Sequence, residues 1–206
     1  MEKKEMSTLL KWTVIPSIVL IASGCQKPPQ VEVDAMKQAV ADAAVDQPSV
    51  YAPEAWQTAQ QAVQAVDTEI TAQNEKFALT RSYDRAKELI ATADSAVSTA
   101  RDQAKQTMQQ ITDETNGMLD SARSALATSR ELLTQLAACK KRPKGFETDL
   151  ELLEAKATGL ATQIDEVDRL LAGGSLEDAR ALAETLVSDA EALATDLQNA
   201  KSQLGC

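Results

Sequence analysis

Three cysteines and no histidine set the chemical vocabulary of this chain. Without histidine there is no imidazole general base, no Ser-His or Cys-His nucleophile pair and no imidazole metal ligand. Thiols and carboxylates remain. Carboxylates cluster at Asp165, Glu166 and Asp168 with no Gly-rich loop beside them. Such a cluster on a helical pattern reads as a solvated face, so no catalytic pair, metal site or cofactor is expected. The thiols are Cys25, Cys139 and Cys206. Each could be a disulfide partner, a metal ligand or a buried thiol, and Cys25 could also be an attachment point for a group outside the protein.

Cys25 closes a graded segment. Residues 1–11, MEKKEMSTLLK, hold Lys3, Lys4 and Lys11; residues 12–22, WTVIPSIVLIA, are apolar; Ser23 and Gly24 are small. Charged, then apolar, then small is the order of an export signal. The apolar run is about 11 residues and contains Pro16, short of the ~20 residues that span a bilayer as a helix. Ile21-Ala22-Ser23-Gly24-Cys25 resembles the lipobox of bacterial lipoproteins, with Ala22 where that family most often has Leu. The resemblance implies a signal peptide over 1–24, cleavage before Cys25, a diacylglycerol on its thiol and usually a fatty acyl group such as palmitate on the new amino group. Each buried CH₂ of such chains contributes about 0.8 kcal/mol to membrane attachment. Gln26 is not the Asp that retains lipoproteins at the inner membrane of enteric bacteria. In a Gram-negative cell the resemblance therefore implies an outer-membrane address facing the periplasm.

The rest of the chain reads as all-α. Aromatics are 3% of residues, and only 7 Gly and 6 Pro interrupt a sequence rich in Ala, which favours long helices with few turns. The paired prolines of QKPPQ exclude a helix there, so residues 25–30 are expected to be a short stiff tether. Helices are expected over Val31–Val45, from Pro53 to about Lys76, from about Tyr83 to Cys139, over Glu147–Ala172 and from Ser175 onward. In the second, Trp56, Ala59, Val63, Val66, Ile70, Gln73 and Phe77 step by three and four. In the third, Tyr83, Ile90, Val97, Ala104, Ile111, Met118, Ala125, Leu132 and Cys139 recur every seven residues. Its companion stripe, Ala86, Ala93 and Ala100, then Thr115, Ala122, Ser129 and Leu136, shifts by one position near residues 107–116. Asn116-Gly117 weakens the helix there. Ser175 is expected to N-cap the last helix with Asp178 three residues on.

These elements predict about five helices in two elongated antiparallel bundles end to end, sharing the long third helix. The N-terminal unit is residues 31–112 and the C-terminal three-helix unit residues 113–206. A weak internal repeat relates residues 82–96 to 175–190, 93 residues apart. The start of this repeat resembles the first helix of a tetratricopeptide repeat, but the 34-residue period of that architecture is absent. Over residues 35–110, YAPEAWQTAQQAV and RSYDRAKELIATADSAVSTARDQA resemble an Ala-rich domain of unknown function. That domain occurs in bacterial envelope lipoproteins, sometimes ahead of OmpA-like domains, and implies no activity.

If Cys25 carries lipid, Cys139 and Cys206 remain as a pair in an oxidising compartment. Helix four leaves the end of helix three for about 26 residues and helix five returns for about 30, which is ~39 Å out and ~45 Å back. A Cys139–Cys206 disulfide is therefore expected. Tyr51, Trp56 and Tyr83 are either core packing or a partner-binding patch. The basic run KKRPK is either a solvated connection or a contact for anionic lipid or glycan. The formal net charge of −10 repels phosphate backbones and argues against nucleic acid. The expected function is that of a non-catalytic structural or adaptor lipoprotein contacting an envelope protein or the cell wall. The alternative is a carrier of a lipid or small ligand between amphipathic helices. Helices of this kind also permit a homo-oligomer.

Overall fold

The computed structural model describes residues 26–206. The expected signal peptide, residues 1–24, and the lipidation site Cys25 lie outside the described residues. The described chain is helical, with no strand among those residues. The elements are α1 (Gln30–Ala44), α2 (Pro48–Tyr51), α3 (Pro53–Glu75), α4 (Asp84–Ala137), α5 (Phe146–Ala172) and α6 (Leu176–Leu204), with a single 3₁₀ turn at Ala78–Thr80. The count is six rather than about five because PSVY makes one helical turn inside the first connection. Pro48 sits at its first position, where the missing N–H costs nothing.

The 54 residues of α4 make one uninterrupted helix about 81 Å long. Asn116-Gly117 does not break it. The first half of α4 packs against α1, α2 and α3, and the second half against α5 and α6. Ile90, Ala93, Val97, Ala100 and Ala104 bury the first seam. Ile111, Thr115, Leu119, Ala122, Leu126, Ser129, Leu133 and Leu136 bury the second. The seven-residue series does not continue through Met118 and Ala125, which are only half-buried; Leu119, Leu126 and Leu133 lie inward instead. A 3.6-residue helix drifts off a 3.5 repeat, and here the partners change before any supercoil corrects the drift. Thr115 and Ser129 satisfy their buried hydroxyls by donating to the carbonyls of Ile111 and Ala125, at 2.7 and 2.9 Å.

The two bundles share one pattern of buried positions. The positions of α1, Gln30–Ala44, recur 93 residues later as the last stretch of α4, and both stretches end at the same point, Ala44 and Ala137. Val33, Met36 and Ala43 match Leu126, Ser129 and Leu136, all buried. Tyr83, Ala86, Ile90, Ala93, Val97, Ala100 and Ala104 of the α4 start match Leu176, Ala179, Ala183, Leu186, Ala190, Leu193 and Leu197 of α6, again all buried. α3 matches α5 at a separation of 94, pairing Val66 with Leu160 and Gln73 with Val167. The repeat visible at 82–96 thus extends over both bundles.

Two local expectations are corrected. Phe77 is not the last step of the α3 stripe: the helix ends at Glu75, Lys76 is extended, and Phe77 is 71% exposed. Ser175 holds the N-cap position of α6 without a side-chain cap bond. Its N–H instead donates to Leu170 O at 3.0 Å and Gly174 N–H to Leu171 O at 3.1 Å, closing the end of α5. Gly174 makes that turn with φ +78°.

Candidate functional site

The end of the rod beside residue 25 is a hydrogen-bonded cap. Gln26 Oε1 accepts from Tyr83 N–H at 2.8 Å, across 57 residues of sequence. The Tyr83 hydroxyl, fully buried, donates to Asn74 Oδ1 at 2.6 Å. Gln73 Oε1 accepts from Ser82 N–H at 3.2 Å. Arg81 donates to the carbonyls of Lys76 and Asn74 at 2.9 and 2.8 Å, supplying the donors that the C-terminus of α3 lacks. The expected short stiff tether is docked on the bundle: α1 begins at Gln30, Pro29 is buried, and Gln26 is held against the α3–α4 turn.

The three aromatics do not form one patch. Tyr83 lies in this cap. Tyr51 lies about 30 Å along α4, in a joint with Ala52, Ala104, Ile111 and Leu176 that Leu171 also packs against. Tyr51 is 8% exposed; burial pushes its hydroxyl above the ordinary phenol range, and the carboxylates of Glu177 and Asp178 add to this. Trp56 lies between, packed against Ala43, Ala59 and Val97. Of the three, Trp56 alone keeps appreciable exposed surface, beside an apolar depression of about 220 Å³.

At the opposite end the structure brings Cys139 and Cys206 to disulfide distance, with Cα atoms 5.7 Å apart. α5 runs back along α4 and α6 returns along both. Within the basic loop Arg142 is already engaged. It donates to Ala137 O at 2.7 Å and Cys139 O at 3.3 Å, pairs with Glu147, and stacks 5.9 Å from the centre of the Phe146 ring. Lys140, Lys141 and Lys144 are exposed. Leu136, Pro143, Phe146, Leu150 and Leu204 line a second apolar depression of about 190 Å³.

Two of the three residues of the acidic cluster, Glu166 and Asp168, are engaged with arginines, and Asp165 is exposed. Asp168 takes two hydrogen bonds from Arg123, at 2.8 and 2.7 Å, and Glu166 pairs with Arg169 one turn on. The Arg169 guanidinium holds Glu166 below the usual carboxylate range. Among the described residues no group of three or more His, Cys, Asp and Glu could hold a metal ion. No described helix is long and apolar enough to cross a membrane. The chain matches no family model, no curated protein and no solved structure.

Sequence reasoning missed the cap around Gln26 and the exposed Phe77-Ala78-Leu79 turn. The apolar letters of that turn were readable, but continuing the 3-4 stripe turned Phe77 inward.

Proposed function

We propose that the chain is a lipid-anchored, non-catalytic lipoprotein of the bacterial envelope, held through Cys25 on the periplasmic face of the outer membrane, that acts as a structural or adaptor rod. The observation that carries the rod reading is α4 itself: one continuous helix through both bundles gives a stiff body about 81 Å long. Its anchor adjoins Gln26 at one end, and its solvated loop with Lys140, Lys141 and Lys144 stands at the other. A body of this kind fixes the distance between a membrane and whatever it touches. The apolar depressions, about 190 and 220 Å³, are smaller than the ~300 Å³ at which ligand pockets begin, which weighs against the carrier reading. A wider groove of about 710 Å³ between α4 and α6 is lined by Asp120, Ser121, Thr128, Glu191 and Thr195, a polar and solvated surface.

Photo-crosslinking in intact cells from positions 140, 144 and 152 tests this reading. The expected result is a discrete adduct with one envelope protein or with cell-wall glycan, lost in Cys25→Ser. Absence of adducts together with a small molecule retained at one-to-one stoichiometry in native mass spectrometry would favour the carrier.

A further inference from the structure

The internal repeat allows the corresponding ends of the two bundles to be compared. In the second repeat the turn between α5 and α6, residues 172–175, is exposed, but the leucines on either side of it, Leu171 and Leu176, pack against Tyr51, Ala52 and Ile111 at the joint. The matching turn of the first repeat joins α3 to α4; it is longer, because α3 already ends at Glu75, and Phe77 lies in the turn itself rather than in a helix as Leu171 does. Nothing in the described chain covers it. Phe77 is 71% and Leu79 64% exposed, and Val31, in the first turn of α1 at the same end, is 80% exposed. An end repeat facing water is expected to present a polar outer face. This one presents three large apolar side chains.

The exposure is built in. The 3₁₀ turn carrying Leu79 is closed by Thr80 N–H and Thr80 Oγ1 donating to Phe77 O, at 2.8 and 2.9 Å. Arg81 ties the turn to the end of α3, and Tyr83 ties it to Gln26. A turn with this many local bonds does not fold its apolar side chains back onto the bundle.

We infer that the Phe77-Ala78-Leu79 turn, with Val31, is a foot that enters the interfacial layer of a phospholipid bilayer. This rests on the lipid-anchor reading, because the occupant is identified by the attachment point: Cys25 is one peptide bond from Gln26, and Gln26 is bonded to Tyr83 in this cap. Acyl chains on Cys25 bring the bilayer surface to this end. Phe and Leu are the side chains that embed at the headgroup boundary, and Lys76 and Arg81 flank them where anionic headgroups lie. A second copy of the chain is a poorer occupant. The surface of the second repeat that matches the Tyr51 seat is KRPKG, residues 141–145, which offers lysines in place of the tyrosine.

Phe77→Trp in a Trp12→Phe, Trp56→Phe background of the full chain tests the foot. The protein is isolated from membranes and reconstituted in phosphatidylethanolamine–phosphatidylglycerol vesicles, with and without brominated acyl chains. Leu79→Trp is a second probe, and Leu152→Trp, exposed on α5 near the far end, is the control. The expected result is blue-shifted emission at positions 77 and 79, most of it lost in brominated vesicles, with position 152 unchanged. Mass analysis of the N-terminal peptide from the same preparation separates the two ideas. An acylated Cys25 with water-like, unquenched emission at 77 and 79 overturns the foot and leaves the anchor. Quenching without acylation keeps the foot and removes the anchor. Neither signal removes both.

Discussion

Asp46 and Cys139 stand at the same point of the two repeats, 93 residues apart, just past the first helix of each. Each ties that point to the third helix of its own bundle. Asp46 does so with Arg101 at 2.6 Å and Lys105 at 3.5 Å, a partly exposed ion pair; Cys139 does so with Cys206 at disulfide distance. The cores differ in the same sense. The seven matched positions of the third helix hold Tyr, Ala, Ile, Ala, Val, Ala and Ala in the first repeat but four leucines among seven in the second. The first core divides into separate small clusters, whereas the second is one continuous cluster. A shared burial pattern thus accompanies an Ala-rich half on the side of Gln26 and a Leu-packed half away from it.

The largest test of that contrast is Leu193→Ala. Leu193 is fully buried in α6, and its truncation is expected to cost about 3 kcal/mol in urea unfolding followed by circular dichroism. Val66→Ala, also fully buried but in the first bundle, removes fewer atoms and is expected to cost about 2 kcal/mol. Equal losses would break the comparison.

Replacing both Cys139 and Cys206 with Ser removes a closure over 67 residues of sequence and is expected to lower stability by about 2–4 kcal/mol. Protease cutting should then rise in 139–206 and not in 30–80. Free thiols at both positions in the native protein, read by non-reducing mass spectrometry, would remove this part of the contrast.

Gly117→Ala sharpens the role of the shared helix. A Cβ there meets nothing within 4 Å, and the backbone is already helical. A gain of about 0.8 kcal/mol is expected from lost unfolded-state freedom and better helix propensity. A loss would mean that α4 is not continuous at the joint.

Asp46→Asn is the smallest effect, a melting-temperature drop of about 2 °C or less, because the pair is partly exposed. Its pH dependence has a definite sign. The hydrogen bond from Arg101, then the charge of Lys105, holds the Asp46 carboxyl below its ordinary 3.8 despite some opposing desolvation. The stabilisation is therefore present above pH ~3.8 and fades as pH falls through the lowered folded value. The Asn variant should lack that acid-side component, and equal acid profiles for both proteins would contradict it.

The helices were legible because the 3-4 spacing of Val, Ile, Leu and Ala is dense and the breakers are few. The proximity of Cys139 and Cys206 followed from helix lengths alone. The features that were not legible are contacts between distant residues. No local signal marks Gln26 as the partner of Tyr83, and the full repeat is hidden because matched buried positions pair Ala with Leu and Gln with Val. Phe77 misleads for a different reason: it continues the stripe in sequence, but α3 stops two residues earlier, where Arg81 takes over its last carbonyls.

The proposed function depends on the lipid anchor at Cys25. Intact-mass and tandem mass spectrometry of the N-terminal peptide, from protein extracted from native membranes, tests it most directly. The predicted first residue is Cys25 bearing a thioether-linked diacylglycerol, with Gln26 next. A chain that still begins at Met1, or one with an unmodified thiol at Cys25, would contradict it.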